Sequence, residues 1–364
     1  MNKYQNAVTI LEELVKKGQL PGACLLVHEG QEIVLKESVG MADEAKQQPV
    51  TERTIYRLAS MTKPITTVAA LTLFQQGKID LDASIATYLP EYAGTDKEGA
   101  KVLHLLNHSC GLGMLGHQGM LQAMTLSDVK HDKLKDRVKR WKDLVPDFPP
   151  STATGYSPSV GFEILGRILE VISGMELDTF LSQTIFGPLE MQDTTFILDG
   201  EQKRRLSILY HDPGAPIVPT PGDFQMEDYV DASFAGYFSG AAGLYSTADD
   251  YSRFVRMLSG GGGYKGVRIL NPETVAKMST PSHDLFPRPG VHWGLGVQVF
   301  GAPEETGFYV HEGSYSWSGA YGTHFFVDPK ANRSFVLMLN CDNLGGSESY
   351  ISRLIEKTLY EAGE

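Results

Sequence analysis

Residues 57–71 read R-L-A-S-M-T-K-P-I-T-T-V-A-A-L, and this stretch decides how the rest of the chain is interpreted. Its apolar spacing predicts a helix that starts around Pro64, where a missing N–H is tolerated, and stops at Gly77. Ser60 and Lys63 are three residues apart at its start, so a helical turn places both side chains on one face. A serine beside an amine that can take its proton is the composition of an activated nucleophile.

The surroundings of this pair favour a catalytic role over a chance match. The flanking side chains are mostly apolar (Leu58, Ala59, Ile65, Val68, Ala69 and Leu71), so we expect the amine of Lys63 to be partly desolvated. Desolvation and a helix N-terminus both lower the pKa of an amine, which makes a neutral base feasible near pH 7. The same S-x-x-K pattern recurs at Ser127 and Lys130, but there the lysine lies in a charge-rich run with solvent around it. The pattern alone is weak, and its context separates the two pairs.

Strand patterns occupy both ends of the chain, and helical patterns lie between them. An amphipathic helix ending at Gly18 precedes two strands within residues 22–40, which turn near Glu29 and Gly30. Further strands are predicted at residues 293–300, 307–311, 321–329 and 334–340, and a last helix from Glu348 to about Glu361. This order predicts an α/β (α+β) fold in which both ends form one antiparallel sheet flanked by terminal helices.

The helical patterns in the middle predict a second lobe. Residues 1–84 and 236–364 are expected to form a discontinuous α/β domain, and residues 85–235 an inserted, mainly helical domain. A cleft between the lobes is the expected place for a site. Loop residues expected to line that cleft are Met114, Leu115, Tyr237 and Phe238.

The composition excludes several classes of partner. The net charge is −12 with a pI near 5.3, so nucleic acid and anionic membrane surfaces are repelled by the average field. Three cysteines far apart, Cys24, Cys110 and Cys341, favour neither a disulfide framework nor a C-x-x-C metal site. Acidic residues stand where a secretory apolar core would lie, and no stretch approaches the ~20 apolar residues of a membrane span. We therefore expect a cytoplasmic protein that acts on small molecules.

Three other patterns receive structural interpretations. The charged run at residues 128–143 carries an apolar stripe (Leu134, Val138, Trp141 and Val145), which indicates a helix with one buried face. His104 and His108 have a spacing compatible with a metal, but no third ligand is evident nearby, so structural histidines are favoured. G-L-G-M-L-G at residues 111–116 follows a helical segment and not a strand, so a dinucleotide site is not expected. The chain has no G-x-S-x-G pentapeptide.

Three segments, residues 54–90, 102–112 and 240–254, resemble serine β-lactamase-like proteins. The agreement extends over most of the chain and in the same order, which chance S-x-x-K matches do not do. Within that superfamily the chain most resembles the class C β-lactamases and the family VIII carboxylesterases. The resemblance implies the β-lactamase/DD-peptidase-like fold and three active-site motifs.

The resemblance implies roles for residues at each motif. Ser60 and Lys63 match the first motif, and Tyr156 matches the tyrosine of the second, where Pro158 replaces the usual asparagine. The third motif, K-T-G in the lactamases, is best matched by Trp317, Ser318 and Gly319, and family VIII esterases carry a tryptophan-glycine version. His311, Glu312 and Gly313 are the second choice, since some relatives use a histidine in place of the lysine. A proline without a donor and a tryptophan without a charge favour a neutral ester over an anionic β-lactam.

The expected reaction is two-step acyl transfer without a metal or an organic cofactor. Ser60 attacks the ester carbonyl, Lys63 and Tyr156 accept its proton, and a cationic Lys63 is expected to lower the pKa of Tyr156. The resemblance implies that the N–H groups of Ser60 and Ala320 bind the oxyanion, next to Trp317, Ser318 and Gly319. A carboxylesterase for small-molecule esters with short to medium acyl chains is therefore predicted. A β-lactamase or D-alanyl peptidase, an acyltransferase, and a binding protein without activity are the alternatives, and the oligomeric state stays open.

Overall fold

The computed structural model describes residues 3–128, 131–211, 218–219, 236–283, 285, 288–342, 344 and 349–361. Its helices are α1 (Lys3–Lys16), α2 (Thr62–Gln75), α3 (Val102–Leu106), α4 (Gln118–Thr125), α5 (Leu134–Arg140), α6 (Val160–Ser173), α7 (Leu177–Leu181), α8 (Gly200–Arg205), α9 (Ala248–Ser259), α10 (Pro272–Met278), α11 (Pro303–Thr306) and α12 (Tyr350–Glu361). Its strands are β1 (Gly22–Glu29), β2 (Glu32–Asp43), β3 (Gln48–Pro49), β4 (Ile55–Arg57), β5 (Tyr210–His211), β6 (Val218–Pro219), β7 (Tyr245–Thr247), β8 (Gly263–Tyr264), β9 (Val267–Arg268), β10 (Val291–Trp293), β11 (Gln298–Phe300), β12 (Tyr315–Ser318), β13 (Thr323–Asp328) and β14 (Arg333–Leu339).

One antiparallel sheet combines strands from the two ends of the chain. Its eight strands follow the order β10-β11-β12-β13-β14-β1-β2-β3. The pair β14 and β1 joins the two ends, with Ala23 opposite Leu339 and Glu29 opposite Arg333. The predicted α/β fold, in which the two ends of the chain form one large antiparallel sheet, is therefore confirmed. The strand pairs β4–β7, β5–β6 and β8–β9 form separate two-stranded sheets.

Both faces of this sheet are covered, which explains why β1 is buried along almost its whole length. Side chains alternate between the faces of a strand, so Ala23 and Leu25 join the apolar cluster that contains residues of α1 and α12. Cys24 and Leu26 point to the opposite face and join the larger cluster that contains much of α2 and α9. The helices α1 and α12 also pack against each other. The terminal helices thus flank one face of the sheet, as predicted, and α2 lies on the other.

The helices α3 to α8 lie in the predicted inserted segment, and α6 packs against α2, α3 and α5. The predicted division at residues 84/85 and 235/236 stays a prediction, since residues 212–217 and 220–235 lie outside the described structure. Leu134, Val138 and Trp141 are buried, as their spacing indicates. Val145 is 62% exposed, which corrects the predicted stripe: the chain leaves its helical path after the turn Trp141–Asp143, and the helical spacing no longer applies. No helix in the described part of the chain is long and apolar enough to cross a membrane.

The strand predicted over residues 293–300 is instead a hairpin of β10 and β11, with Trp293 opposite Gln298. Its turn passes against α2. Gly296 has φ +67°, and a Cβ on it would lie 2.0 Å from Thr67 Oγ1. This close approach requires a glycine and a reversal of the chain at this point. A contact between distant segments therefore divides what is a single β-pattern in the sequence.

The strand predicted over residues 307–311 is absent, and the segment follows the one-turn helix α11. Pro303 begins that helix, where its missing N–H costs nothing, and Gly307 ends it with φ +67°. The predicted strands at the end of the chain are β13 and β14, and the last helix is α12. Glu348, its predicted first residue, lies outside the described residues.

Candidate active site

The predicted nucleophile lies in a strained turn directly before α2. The turn Ala59–Met61 is a single 3-10 turn that contains Ser60 and leads into the helix. Ala59 has φ +45°, a left-handed conformation that is uncommon for a residue with a Cβ. Such conformations persist only where the surrounding structure fixes them. The carbonyl of Leu58 accepts a hydrogen bond from Thr323 Oγ1 (3.1 Å), so β13 holds this turn from one side.

Three residues expected from the sequence meet at the hydroxyl of Ser60. Tyr156 donates its phenolic O–H to Ser60 Oγ at 2.6 Å, and Lys63 Nζ lies 3.2 Å from the same oxygen. Tyr156 comes from the loop that precedes α6, whereas Lys63 lies in the first turn of α2. These distances allow direct proton transfer between the serine and either partner. The arrangement is that of a nucleophile with two candidate proton acceptors.

The amine of Lys63 is fully buried and has three acceptors. Besides Ser60 Oγ, Nζ contacts the carbonyl oxygens of Pro158 at 2.6 Å and Ala241 at 3.0 Å, so each of its hydrogens has a partner. Burial lowers the pKa of Lys63 from its usual 10.5 to about 7, and the charge of Glu163 opposes this shift. This lowered pKa makes the neutral amine accessible near neutral pH, and the neutral amine can accept the proton of Ser60.

The expected effect on Tyr156 is wrong in sign. Burial raises the pKa of Tyr156, and the hydrogen bond with Ser60 only partly offsets it. The physical reason is that a low-dielectric site disfavours the charged phenolate. Tyr156 is therefore a neutral phenol in the resting site. Of the two groups that contact Ser60 Oγ, the amine of Lys63 is therefore the better candidate for the base, and the phenol of Tyr156 is a candidate proton donor.

Tyr156, whose hydroxyl contacts Ser60, belongs to an aromatic wall that also contains Trp317 and Trp293. The ring centroid of Trp317 lies 5.4 Å from that of Tyr156 and 5.2 Å from that of Trp293. His108 closes the group, with its ring 4.4 Å from Trp293 and 5.0 Å from Tyr156. Burial lowers the pKa of His108 well below its usual value, so the imidazole is neutral. The wall is apolar in character and carries no charge of its own.

The end of β12 approaches the Ser60 turn closely. A Cβ on Gly319 would lie 2.2 Å from the carbonyl oxygen of Leu58, so only glycine fits there. Gly319 N–H donates to Thr323 O at 2.8 Å, which fixes the turn that carries Ala320. Ser60 and Ala320, whose N–H groups the family resemblance assigns to the oxyanion, thus lie in the two segments that meet at this contact.

Comparison with known proteins identifies the family of this chain. The profile of the Beta-lactamase family matches residues 8–360. The chain belongs to the Beta-lactamase family. This finding confirms the expected resemblance to the serine β-lactamase superfamily and the β-lactamase/DD-peptidase-like fold.

Relatives of this β-lactamase family member include esterases. The esterase EstB of Burkholderia gladioli is 27% identical over 363 residues, which cover 91% of this chain and 88% of EstB. The structure of "EstCE1, a hydrolase with promiscuous acyltransferase activity" superposes with a TM-score of 0.86, 26% identity and 98% coverage of both chains. A family VIII carboxylesterase has the same fold, with a TM-score of 0.75, 20% identity, and coverage of 99% of this chain and 97% of that chain.

In this β-lactamase family member the two candidates for the third motif have different surroundings. Trp317 contacts Tyr156, as described above. His311 Nδ1 instead bonds Asp328 Oδ2 at 2.6 Å, and its ring packs near Tyr360 of α12. The structure thus brings Trp317, and not His311, to the tyrosine that touches Ser60.

Ser318 is engaged away from the nucleophile. Its hydroxyl bonds His324 Nδ1 at 2.7 Å, and His324 Nε2 lies 3.5 Å from Glu356 Oε1 of α12. Adjacent strand residues point to opposite faces, so Trp317 faces the catalytic side and Ser318 the terminal helices. The described contacts of the Ser318 hydroxyl are with this histidine, whereas its predicted role was substrate binding.

The other candidate residues have structural roles. His104 Nδ1 accepts the Lys101 N–H at 3.2 Å near the start of α3, whereas His108 lies beyond the end of that helix and accepts the Ser157 N–H at 3.3 Å. The two rings are therefore not a helical pair. Ser127 donates to Ala123 O at 2.6 Å, and Lys130 lies outside the described residues.

Of the four residues expected to line the cleft, Leu115 is 57% exposed, and its N–H donates to Tyr156 O at 2.7 Å. Met114, Tyr237 and Phe238 are buried instead. The loops that carry them fold back onto the core, so a position between lobes did not predict exposure.

Sequence reasoning missed three residues at this site, namely Trp293, His108 as a ring contact, and Glu163. Trp293 precedes the turn of the β10–β11 hairpin. The sequence predicted one continuous strand over residues 293–300, so it did not indicate that Trp293 lies beside Tyr156. Glu163 had a visible signal, because it is the one acid in the otherwise apolar run V-G-F-E-I-L-G of residues 160–166. Acids in such runs are almost never fully buried unless they are paired.

Proposed function

We propose that this protein is a serine hydrolase that cleaves carboxylic esters with short to medium acyl chains through an acyl-enzyme on Ser60. The observation that carries the proposal is the shared hydroxyl: Ser60 Oγ contacts both Tyr156 at 2.6 Å and Lys63 at 3.2 Å. The pKa of Lys63, near 7, suits a base that works at neutral pH. The names of EstB and EstCE1, an esterase and a hydrolase, support the same reaction class.

The first half of the reaction forms the acyl-enzyme. Ser60 Oγ attacks the ester carbonyl while its proton moves to the neutral amine of Lys63. The oxyanion is bound by the N–H groups of Ser60 and Ala320, and donors of this kind contribute on the order of 3 kcal/mol each. Collapse of the intermediate breaks the C–O bond, and Tyr156 delivers a proton to the leaving alkoxide as it takes one from Lys63. The site is left with an acylated serine and a neutral amine.

The second half returns the enzyme to its starting state. Water in the place of the departed alcohol attacks the acyl carbonyl and gives its proton to the Tyr156–Lys63 pair. The released Ser60 alkoxide recovers that proton, and the carboxylic acid leaves. The step consumes one water and needs no redox change, so atoms and charges balance.

Neutral esters suit this site better than anionic β-lactams. The aromatic wall presents rings where the lactamases of this superfamily carry a cationic lysine. Pro158 replaces the asparagine, and its carbonyl is occupied by Lys63 Nζ at 2.6 Å. The cationic form of Lys63 is fully enclosed and has its own acceptors, so it is not free to bind a substrate carboxylate.

Acyl transfer to an alcohol is the second candidate function. The observation that favours it is the same aromatic wall, because the rings around Tyr156 make the surroundings of the site apolar and favour an alcohol over water. The name of EstCE1 mentions promiscuous acyltransferase activity. Product analysis with p-nitrophenyl butyrate in the presence of 1-butanol separates the two, since transfer yields butyl butyrate and hydrolysis yields butyrate.

The test of the proposed function compares p-nitrophenyl butyrate with a chromogenic cephalosporin in three proteins: wild type, Ser60→Ala and the matched control Ser127→Ala. Ester hydrolysis is expected in wild type and Ser127→Ala and not in Ser60→Ala. Intact-mass measurement after rapid quenching is expected to show one butyryl group on the wild-type protein and none on Ser60→Ala. Hydrolysis that survives Ser60→Ala would refute the mechanism, and faster cephalosporin turnover would make a β-lactamase the better assignment.

The cytoplasmic location stays a prediction from the sequence.

A further inference from the structure

Glu163 is a buried acid beside the catalytic lysine that the reaction as written does not use. It lies in the first turn of α6, the helix that follows the loop of Tyr156, and its side chain is fully buried. One carboxylate oxygen accepts the hydroxyl of Ser239, and the other accepts the Gly240 N–H at 3.1 Å. A buried carboxylate without a catalytic or structural reason is costly, so its placement needs an explanation.

The two donors belong to the segment that holds Lys63. Ala241, the residue after Gly240, supplies the carbonyl that accepts from Lys63 Nζ at 3.0 Å. The Gly240 carbonyl in turn accepts from Thr66 Oγ1 at 2.7 Å, one turn along α2 from the lysine. Through these two hydrogen bonds, Glu163 holds the backbone at Ser239 and Gly240 in place. The carbonyl of the next residue, Ala241, is one of the three acceptors of the Lys63 amine.

The carboxylate is also the negative charge that acts on Lys63. The other titratable groups that face the amine are Tyr156 and His108, and burial keeps both of them neutral, raising the pKa of the phenol and lowering that of the imidazole. On its far side Glu163 faces Arg137 and Tyr237. Burial raises the pKa of Glu163, but each of its oxygens accepts a hydrogen bond, and Arg137 and Lys63 supply positive charge, which together favour the carboxylate.

We propose that Glu163 is a positioning residue that sets the Ala241 carbonyl against Lys63 and, through its charge, keeps the amine basic enough to accept the proton of Ser60 near neutral pH. The proposal rests on the proposed function, in which Lys63 is the base. A buried amine with no anion nearby loses its proton at lower pH and becomes a weaker base. Burying Glu163 costs desolvation free energy, and in return its charge keeps the pKa of Lys63 close to the pH at which the amine acts as a base.

The pH profile of kcat/KM for p-nitrophenyl butyrate tests this role. In Glu163→Gln the negative charge is gone, the cationic amine is disfavoured, and the acid limb is expected to move to lower pH by about one unit. The plateau should fall as well, since the amine is a weaker base. Glu163→Asp keeps the charge and should keep the limb near its wild-type position. A uniform loss of activity at every pH, with the limb unmoved, would assign Glu163 a merely structural role and overturn the proposal.

Glu170→Gln is the matched control. Glu170 lies two turns further along α6, is also mostly buried, and pairs with Arg167 at 2.9 Å and the Leu177 N–H at 3.2 Å. Its replacement removes the same charge from the same helix but none of the contacts that lead to Lys63. The acid limb is expected to stay in place, and an equal shift would show that the effect is not specific to Glu163.

A titration of Lys63 by NMR with 13C-labelled lysine separates this proposal from the proposed function. The Lys63 signal is assigned by its loss in Lys63→Arg, and its midpoint should fall in Glu163→Gln whether or not the ester is hydrolysed. If Ser60→Ala retains esterase activity, the proposed function fails while this titration still reports on Glu163. Should Glu163→Gln fail to fold, a wild-type sample with 13C-labelled glutamate provides the test. The carboxyl signal of Glu163 should shift as Lys63 titrates, and a signal that stays constant through that transition would overturn the proposal.

Discussion

Replacing Tyr156 by phenylalanine removes one oxygen atom from the active site and leaves the ring in place. The contacts of that ring with Trp317 (5.4 Å), Trp293 (6.4 Å) and His108 (5.0 Å) do not involve the hydroxyl. The hydrogen bond lost is the one to Ser60 Oγ at 2.6 Å. A hydrogen bond of this kind contributes about 1 kcal/mol to stability, so the free energy of unfolding should change by no more than that.

The expected loss of activity is much larger. Positioned proton transfer contributes about 10²–10⁴-fold to rate, which corresponds to roughly 3–5 kcal/mol of barrier. Because Lys63 can still take the proton of Ser60 directly, the loss should fall mainly on protonation of the leaving alkoxide. Esters with poor leaving groups, such as ethyl butyrate, should therefore lose more activity than p-nitrophenyl butyrate, whose phenolate leaves without a proton.

The assay measures kcat/KM for both esters, together with urea denaturation of each protein. Tyr251→Phe is the matched control, because the Tyr251 hydroxyl donates to Met61 O at 3.0 Å in the same turn but does not contact Ser60 Oγ. That variant should lose about as much stability and little activity. A loss of less than about tenfold in kcat/KM for ethyl butyrate in Tyr156→Phe, or an equal loss in Tyr251→Phe, would refute the role given to the phenol. Equal losses for both esters would refute its role as the acid.

Further outcomes follow from the same site. Since burial lowers the pKa of Lys63 to about 7 and the neutral amine is the base, kcat/KM should rise with pH and reach half its plateau near pH 7; a rate independent of pH between about 5 and about 9 would contradict this. Gly319→Ala places a Cβ 2.2 Å from Leu58 O and should cost more than about tenfold in kcat/KM, whereas Gly99→Ala, where a Cβ meets nothing within 4 Å, should be silent in the same assay. Trp317→Leu removes the ring contacts with Tyr156 and Trp293 and should lower the free energy of unfolding by about 2 kcal/mol, and an unchanged urea midpoint would count against the aromatic wall.

Local spacing and alternation predicted a large part of this molecule. The pair Ser60 and Lys63 is three residues apart, and one helical turn is enough to bring them together. The buried pattern of β1 and β14 predicted strands at both ends, and the economy of one sheet predicted that they meet. Tyr156 and Trp317 are distant in sequence, and only the family resemblance connected them with Ser60.

The wrong predictions depend on tertiary contacts and on burial, which a pattern along the sequence does not contain. The run at residues 293–300 is divided because Gly296 packs on Thr67, a contact across more than half of the chain. Burial raises the pKa of Tyr156 and outweighs the hydrogen bond with Ser60, and burial is a property of the folded state. Strand alternation did contain the information that Trp317 and Ser318 face opposite sides, and it needed only to be applied.

The pairing of β1 with β14 has a consequence for synthesis of the chain on the ribosome. Glu29 and Arg333 are paired although about 300 residues lie between them in the sequence. At about 5–20 residues per second, β1 waits roughly 15–60 s for its neighbour, with one long apolar edge unpaired. Thr323, which holds the Ser60 turn, also arrives late, so the nucleophile is translated long before its geometry exists. We therefore expect the proposed esterase activity to appear only after the completed chain is released.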